Sequence, residues 1–284
     1  MSRPLRRSFL YTPADDRSMM EKSATLPSDA VIFDLEDAIP AAAVPEARAR
    51  IASVTKETAF DSTEVCVRIN GYQSKSWIQD LQALAGAAID TVILPMIESE
   101  RQLETMVAVA EQLSESPPEA IPTIETPSGL FALSSIAARA KSLPSVTGLS
   151  YGFGDYVNAI GATGRPSQVR WFLRHHIVGA AAVGNLSPVD TVYQDHTDLE
   201  GLREAAERAR EIGYIGQKVI HPSQLDVIND VFTPTPEEVE KARRFVETFA
   251  DSPKDAITVD GVFLDTAIVD QYKTLLARHE EVRS

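Results

Sequence analysis

Charged side chains fall at the downstream ends of short apolar runs along this sequence. Glu36 and Asp37 close "AVIFDLED", Arg68 and Asn70 close "EVCVRIN", and Glu125 follows "AIPTI". Asp155 ends "VTGLSYGFGD", Asp190 and Asp195 lie in "SPVDTVYQD", and His221 follows "KVI". The run "AVIFDL" is apolar at five of six positions, as a strand buried on both faces would be, yet it gives way to Asp34, Glu36 and Asp37.

If these runs are parallel strands of one sheet, their end groups share a rim. Carboxylates crowded there repel one another unless a cation or protons intervene. One Glu and one Asp supplying oxygen ligands, with water and substrate completing an octahedron, suit Mg2+ better than zinc, which needs clustered His or Cys. The five histidines are dispersed: His175 and His176 adjoin on a helical pattern, and His196 and His279 read as exposed. Arg68 offers a rigid fork that could hold the carboxylate or carbonyl oxygen of a small acid. A salt bridge to Glu36 or Asp37 is the plainer use of the same group, and the two roles are compatible.

The elements that must position these groups follow from periodicity. Eight β-branched runs, from "RSFLYTP" to "KVIHP", alternate with amphipathic patterns such as "SWIQDLQALAGAA", "ESERQLETMVAVAEQL" and "DLEGLREAAERAREIG". Eight such alternations predict an α/β fold closed as a (β/α)8 TIM barrel over residues 1–232, with its active face at the strand ends. A doubly wound open sheet is the alternative, disfavoured because no glycine-rich dinucleotide fingerprint follows the first strand. Residues 233–284 change character. "TPTPEEVEKARRFVETFA" reads as a capped helix, Asp260 and Gly261 as the turn of a hairpin, and "TAIVDQYKTLLARHEE" as a last helix. This C-terminal helix–hairpin–helix extension is not needed to close a barrel, and is expected to serve as a lid on the mouth or to pack on a neighbouring subunit.

Composition narrows the class. The chain has 284 residues, 44% of them hydrophobic, and a formal charge of -14, which argues against nucleic-acid binding because no basic face is present to meet phosphates. The absence of a long apolar run or a signal-peptide core predicts a soluble, cytoplasmic protein with no membrane partner. Only eight of the 27 basic residues are lysine, and an acidic, lysine-poor surface is one adaptation to high salt. The single cysteine, Cys66, lies in an apolar run and is expected to be a small buried side chain.

At "DLEDA", "VRIN", "IETPSG" and "VIHPSQ" the sequence resembles the citrate lyase β-subunit-like (CitE-like) family of the HpcH/HpaI aldolase superfamily, to which malyl-CoA, β-methylmalyl-CoA and citramalyl-CoA lyases are related. The likeness runs in order from "RSFLYTPADDR" to "DGVFLDTAIV". The resemblance implies a Mg2+-dependent barrel lyase, a homotrimer or hexamer, that acts on a 3-hydroxyacyl-CoA. Its products would be an acyl-CoA and a 2-oxoacid: glyoxylate, pyruvate or oxaloacetate. It implies Glu125 and Asp155 as metal ligands, Arg68 as the oxyacid-binding arginine, and Glu36 and Asp37 as acids that hold metal-bound water and orient Arg68. Asp265, in the C-terminal hairpin, would act from an adjacent subunit on the carbon next to the thioester. An N-cap on the last helix is the competing role for Asp265. Coenzyme A would cross the rim near Arg17 and His221.

Three positions depart from the family pattern. Gly154 precedes the metal aspartate where a charged or polar residue is common, Met96 follows "LP" where a lysine is common, and Ala267 stands where a proline often follows the lid aspartate. The other functions that the sequence allows are a citrate lyase β-subunit working on an acyl carrier protein thioester and a CoA-independent class II aldolase, although the histidine base of the latter has no counterpart near the second run.

Overall fold

The computed structural model describes residues 5–164 and 166–283. Numbered in chain order, its elements are β1 (Ser8–Pro13), α1 (Arg17–Ser23), β2 (Ala30–Asp34), α2 (Val44–Glu57), β3 (Glu64–Arg68), α3 (Ser76–Leu84), β4 (Thr91–Leu94) and α4 (Glu100–Leu113). There follow β5 (Glu119–Ile124), α5 (Pro127–Phe131), α6 (Leu133–Ala140), β6 (Gly148–Tyr151), α7 (Phe153–Ala159), α8 (Ser167–Gly184), β7 (Ser187–Asp190), α9 (Leu199–Glu211) and β8 (Gly216–Val219). The C-terminal elements are α10 (Leu225–Phe232), α11 (Pro236–Ala250), β9 (Ala256–Val259), β10 (Val262–Asp265) and α12 (Thr266–Arg283). Two compact units result, one of Arg6–Asn229 and one of Leu5 with the residues from Asp230 onwards.

In the first unit the eight apolar runs form β1 to β8, every neighbouring pair parallel, and β1 pairs with β8 as well as β2, so the sheet is a closed barrel and not an open one. All five residues of β2 are buried, which is why this run carries no polar alternation. Inside the barrel, Phe9, Ala30, Ile32, Cys66, Ile93, Ile121 and Val189 make one apolar layer, with Tyr11 packed on it. Cys66 belongs to that layer, and burial pushes its thiol well above the ordinary range, as expected of an inert side chain.

Below the layer, at the upstream ends of the strands, Arg6 ties the barrel together. Its Nε donates to Glu64 at 2.8 Å, its Nη2 to Glu64 and Glu119 at 2.6 Å each, and its Nη1 to Thr147 at 2.9 Å. Above the layer lie the strand ends that carry the site.

The second unit has its own small core. Thr235 closes a capping box with Glu238 at the start of α11, and Asp260 (φ 50°) with Gly261 (φ 79°) forms the tight turn between β9 and β10. Phe245, Leu264 and Val269 are buried together, and Tyr272 meets Phe245 edge-on at 5.1 Å. Among the described residues no helix is long and apolar enough to cross a membrane.

Candidate active site

The run that ends in three carboxylates is built around the first of them. Asp34, the last residue of β2, accepts the backbone N–H of Glu36 on Oδ1 and that of Ala38 on Oδ2, each at 3.0 Å, so the loop folds back over its carboxylate. Arg68, at the end of the adjacent β3, donates to the same carboxylate through Nε (2.7 Å) and Nη2 (2.5 Å). Its Nη1 lies 2.8 Å from Glu36 and 3.2 Å from Asp37, and the guanidinium carbon sits 5.0 Å from the Tyr11 ring centre. Register puts Asp34 beside Arg68, so two strand ends assemble an arginine held by three acids.

Glu36 is the unusual member. Burial pushes its carboxyl up from 4.5 to about 8, against the pull of Arg68, and the nearby Glu125, Asp37 and Asp34 push it further. Its Oε2 touches Arg68 without a well-aligned hydrogen bond, because that guanidinium is already aligned on Asp34.

Glu125 follows β5 and is buried. Its Oε2 accepts the backbone N–H of Met96 at 3.0 Å, and Met96 adopts a left-handed φ of 49° to present it. The other oxygen faces Gly152, where a Cβ would come within 2.5 Å of Oε1, so only glycine leaves room for this carboxylate. Burial raises the Glu125 carboxyl, Lys218 and Arg68 draw it down, and Asp155 raises it again.

Asp155 does not end a strand, as its run suggested. Gly152 terminates β6 and caps α7, which places Asp155 in that helix's first turn, half-buried and facing the same cleft as Glu125. The cleft has a volume of ≈ 380 Å³ and is lined by Tyr11, Asp34, Arg68, Glu125, Asp155 and Lys218 among others, with no histidine or cysteine. Two carboxylates facing one open cleft, one of them pushed upward by burial and further by the other's charge, fit a hard ion such as Mg2+ that keeps most of its shell for water and substrate.

Other rim candidates are used elsewhere. Asp190 ends β7 but turns away from the barrel interior toward α8, where it accepts from Arg174 at 2.5 Å and from the Tyr151 hydroxyl at 2.8 Å, a buried structural pair in place of a rim acid. Asp195 is exposed and accepts from Thr197. Asn70 is spent on Asp80 and the Leu35 carbonyl. Arg17 lies on α1, paired with Glu21 at 2.7 Å and Glu57 at 2.6 Å, and His221 caps a short turn after β8 while stacking on His196 at 4.5 Å; neither lines the cleft. His175 and His176 are exposed on α8. Asp265 belongs to the C-terminal unit, where its Oδ1 accepts the backbone N–H of Ile268 at 2.9 Å, the capping role anticipated for it.

Sequence reasoning assigned no role to Lys218, Tyr11 or Gly152, and passed over Asp34 as Arg68's main partner. The signal for Lys218 was present, since a lysine inside a strand whose four residues are all buried must point at something polar.

Comparison with known proteins agrees with this fold. Residues 7–222 match the family described as HpcH/HpaI aldolase/citrate lyase. A (3S)-malyl-CoA thioesterase of Cereibacter sphaeroides is 32% identical over 97% of this chain and 95% of its own. Citramalyl-CoA lyase of Rattus norvegicus is 29% identical over 95% of this chain and 85% of its own. Among solved structures, the CitE protein of Mycobacterium tuberculosis in complex with magnesium, acetoacetate and coenzyme A superimposes with a TM-score of 0.78 at 30% identity, covering 96% of this chain and 98% of that one. The chain belongs to the HpcH/HpaI aldolase/citrate lyase family and is a lyase of that family.

Proposed function

We propose that this protein is a Mg2+-dependent lyase that cleaves, or in reverse forms, a 3-hydroxyacyl-CoA such as malyl-, β-methylmalyl-, citramalyl- or citryl-CoA. The observation that carries the reading is the shared cleft of Glu125, Asp155 and the triply held Arg68, above a closed barrel. Its relatives include proteins named for malyl-CoA, citramalyl-CoA and citrate, and a CitE structure holding both magnesium and coenzyme A.

Glu125 and Asp155 would hold the ion, which supplies a Lewis acid to the oxygens of the oxoacid half. Arg68 faces the same oxygens with a charge that cannot be lost. In cleavage the hydroxyl proton passes to solvent water in the cleft, its O–H pair becomes the new C=O, and the C2–C3 pair passes to the acyl-CoA as an enolate. Asp265, delivered by an adjacent copy in a homotrimer or hexamer, gives a proton to that carbon and takes one from it in the condensing direction. Coenzyme A would cross the rim near Arg17 and His221.

The test is oxoacid release by purified protein from a panel of these four thioesters with Mg2+, together with a thiol assay for free CoA. Oxoacid release from one thioester, abolished by EDTA, is the expected result. Free CoA without oxoacid would favour hydrolysis, a second reading supported by the malyl-CoA thioesterase likeness. Silence across the panel from folded protein would overturn the free-CoA reading in favour of a carrier-protein thioester, as for the citrate lyase β-subunits it resembles.

A further inference from the structure

Four basic side chains are buried among the described residues of the barrel: Arg6 (3% exposed), Arg48 (8%), Arg174 (3%) and Lys218 (3%). Three of them are paired. Arg6 meets Glu64 at 2.6 Å, Arg48 meets Asp80 at 2.7 Å, and Arg174 meets Asp190 at 2.5 Å. Lys218 has neither a hydrogen bond nor an ion pair among the described residues; Glu125 and Glu36 are the acids whose charge acts on it, and neither lies within ion-pair distance. A buried ammonium without a partner is costly, and a fold that pairs every other buried cation has not left this one unpaired for stability.

Its position says what it waits for. Lys218 stands level with Phe9 in the β1–β8 register, so its backbone lies at the apolar layer while its side chain lines the cleft above. A lysine stem can run through apolar surroundings and deliver its ammonium to a polar opening. The other cation of that cleft, Arg68, is already shared among Asp34, Glu36 and Asp37. Two cations that repel each other across one buried cleft are complementary to an anion placed between them.

We propose that Lys218 is a substrate-binding residue whose ammonium pairs with the carboxylate of the 2-oxoacid, or with the same carboxylate in the 3-hydroxyacyl thioester. This rests on the lyase reading above. The strand-eight lysine thereby supplies positive charge at a mouth where position 96, after "LP", is a methionine that offers Glu125 only its backbone N–H. It sets affinity for the acid half of the substrate and has no part in holding coenzyme A.

The experiment measures binding of pyruvate and of oxaloacetate by titration calorimetry, in Mg2+, to the full chain and to Lys218→Met and Lys218→Arg. Methionine keeps an unbranched stem and removes the charge. The expected result is that Lys218→Met weakens both acids at least tenfold, leaves affinity for Mg2+ alone and for free CoA within about threefold, and raises the thermal midpoint. Lys218→Arg should recover part of the loss. Unchanged acid affinity in folded Lys218→Met overturns the assignment while leaving the lyase reading intact, and so does a lowered midpoint with acid affinity retained. If Lys218→Met fails to fold, Lys218→Gln is read by the same criteria. Failure of the unaltered protein to bind pyruvate, oxaloacetate or glyoxylate, titrated in the same way, overturns both readings together.

Discussion

Arg68 and Asp34 form a two-pronged pair across the β2–β3 boundary, Nε to Oδ1 at 2.7 Å and Nη2 to Oδ2 at 2.5 Å. The fork is therefore aimed before any ligand arrives, with Glu36 and Asp37 bracing the remaining nitrogen. Replacing Asp34 by Asn leaves one acceptor oxygen where there were two. Asp34→Asn should destabilise the fold by about 3 kcal/mol, as expected for breaking a buried ion pair. It should also lower kcat/KM by about tenfold or more through loss of aim. Urea unfolding read beside steady-state turnover checks both effects, and a variant as stable and active as the parent would contradict the bracing role.

Glu36 gives the site a pH signature. Its folded pKa of about 8 exceeds the ordinary 4.5, so the folded protein binds this proton more tightly than the unfolded chain. The stabilisation is complete below about 4.5 and is lost as pH rises through about 8. One such group contributes a slope of at most ~1.4 kcal/mol per pH unit. Without Mg2+, thermal midpoints should therefore fall between pH 5.5 and 8.5 in the parent and fall less in Glu36→Gln. Equal slopes would mean that Glu36 is ionised throughout.

Gly152 makes room for the Glu125 carboxylate, the proposed metal ligand, by having no side chain. Gly152→Ala would place a Cβ 2.5 Å from Glu125 Oε1 and 2.7 Å from its Cγ, so Glu125 must swing away. Affinity for Mg2+ should drop by about tenfold or more, as when a group that orients a ligand is lost. Calorimetric titration with MgCl2 reads this directly, and circular dichroism should show the barrel intact.

Asp265 caps α12, and the proton-transfer role proposed for it can be separated from capping by substitution. Asparagine caps a helix about as well as aspartate, whereas alanine costs about 1 kcal/mol. Asp265→Asn should keep the thermal midpoint of the parent, and Asp265→Ala should lower it. Both should lose turnover by about a hundredfold, since neither side chain can give or take the proton. Full turnover in Asp265→Asn would leave capping as the residue's only function.

Much of this was legible in the sequence. The eight strands, the hairpin turn at Asp260 and Gly261 and the burial of Cys66 follow from local pattern, because β-branched runs and turn residues act within a few positions. Asp155 was misplaced because "GLSYGFGD" reads as one run, and only tertiary packing shows that Gly152 ends the strand. Asp190 looked like a rim acid because its partner, Arg174, projects from a helix sixteen positions earlier, at a separation that no periodicity links. Lys218 escaped notice for the opposite reason: its neighbours Val219 and Ile220 gave the run its strand character, and the charge inside it was read past.

The Arg6 cluster at the floor of the barrel and the Arg68 cluster at its mouth are separated by the layer of Phe9, Ile32, Ile93 and Ile121. The two arginines share no hydrogen-bond or ion-pair partner across that layer. Strength and reactivity are consequently tied by separate knots. Selection can rework the Arg6, Glu64 and Glu119 knot for a hotter or saltier cell without removing any group that aims Arg68, and the mouth can change its preferred acid without loosening the floor that keeps eight strands in register.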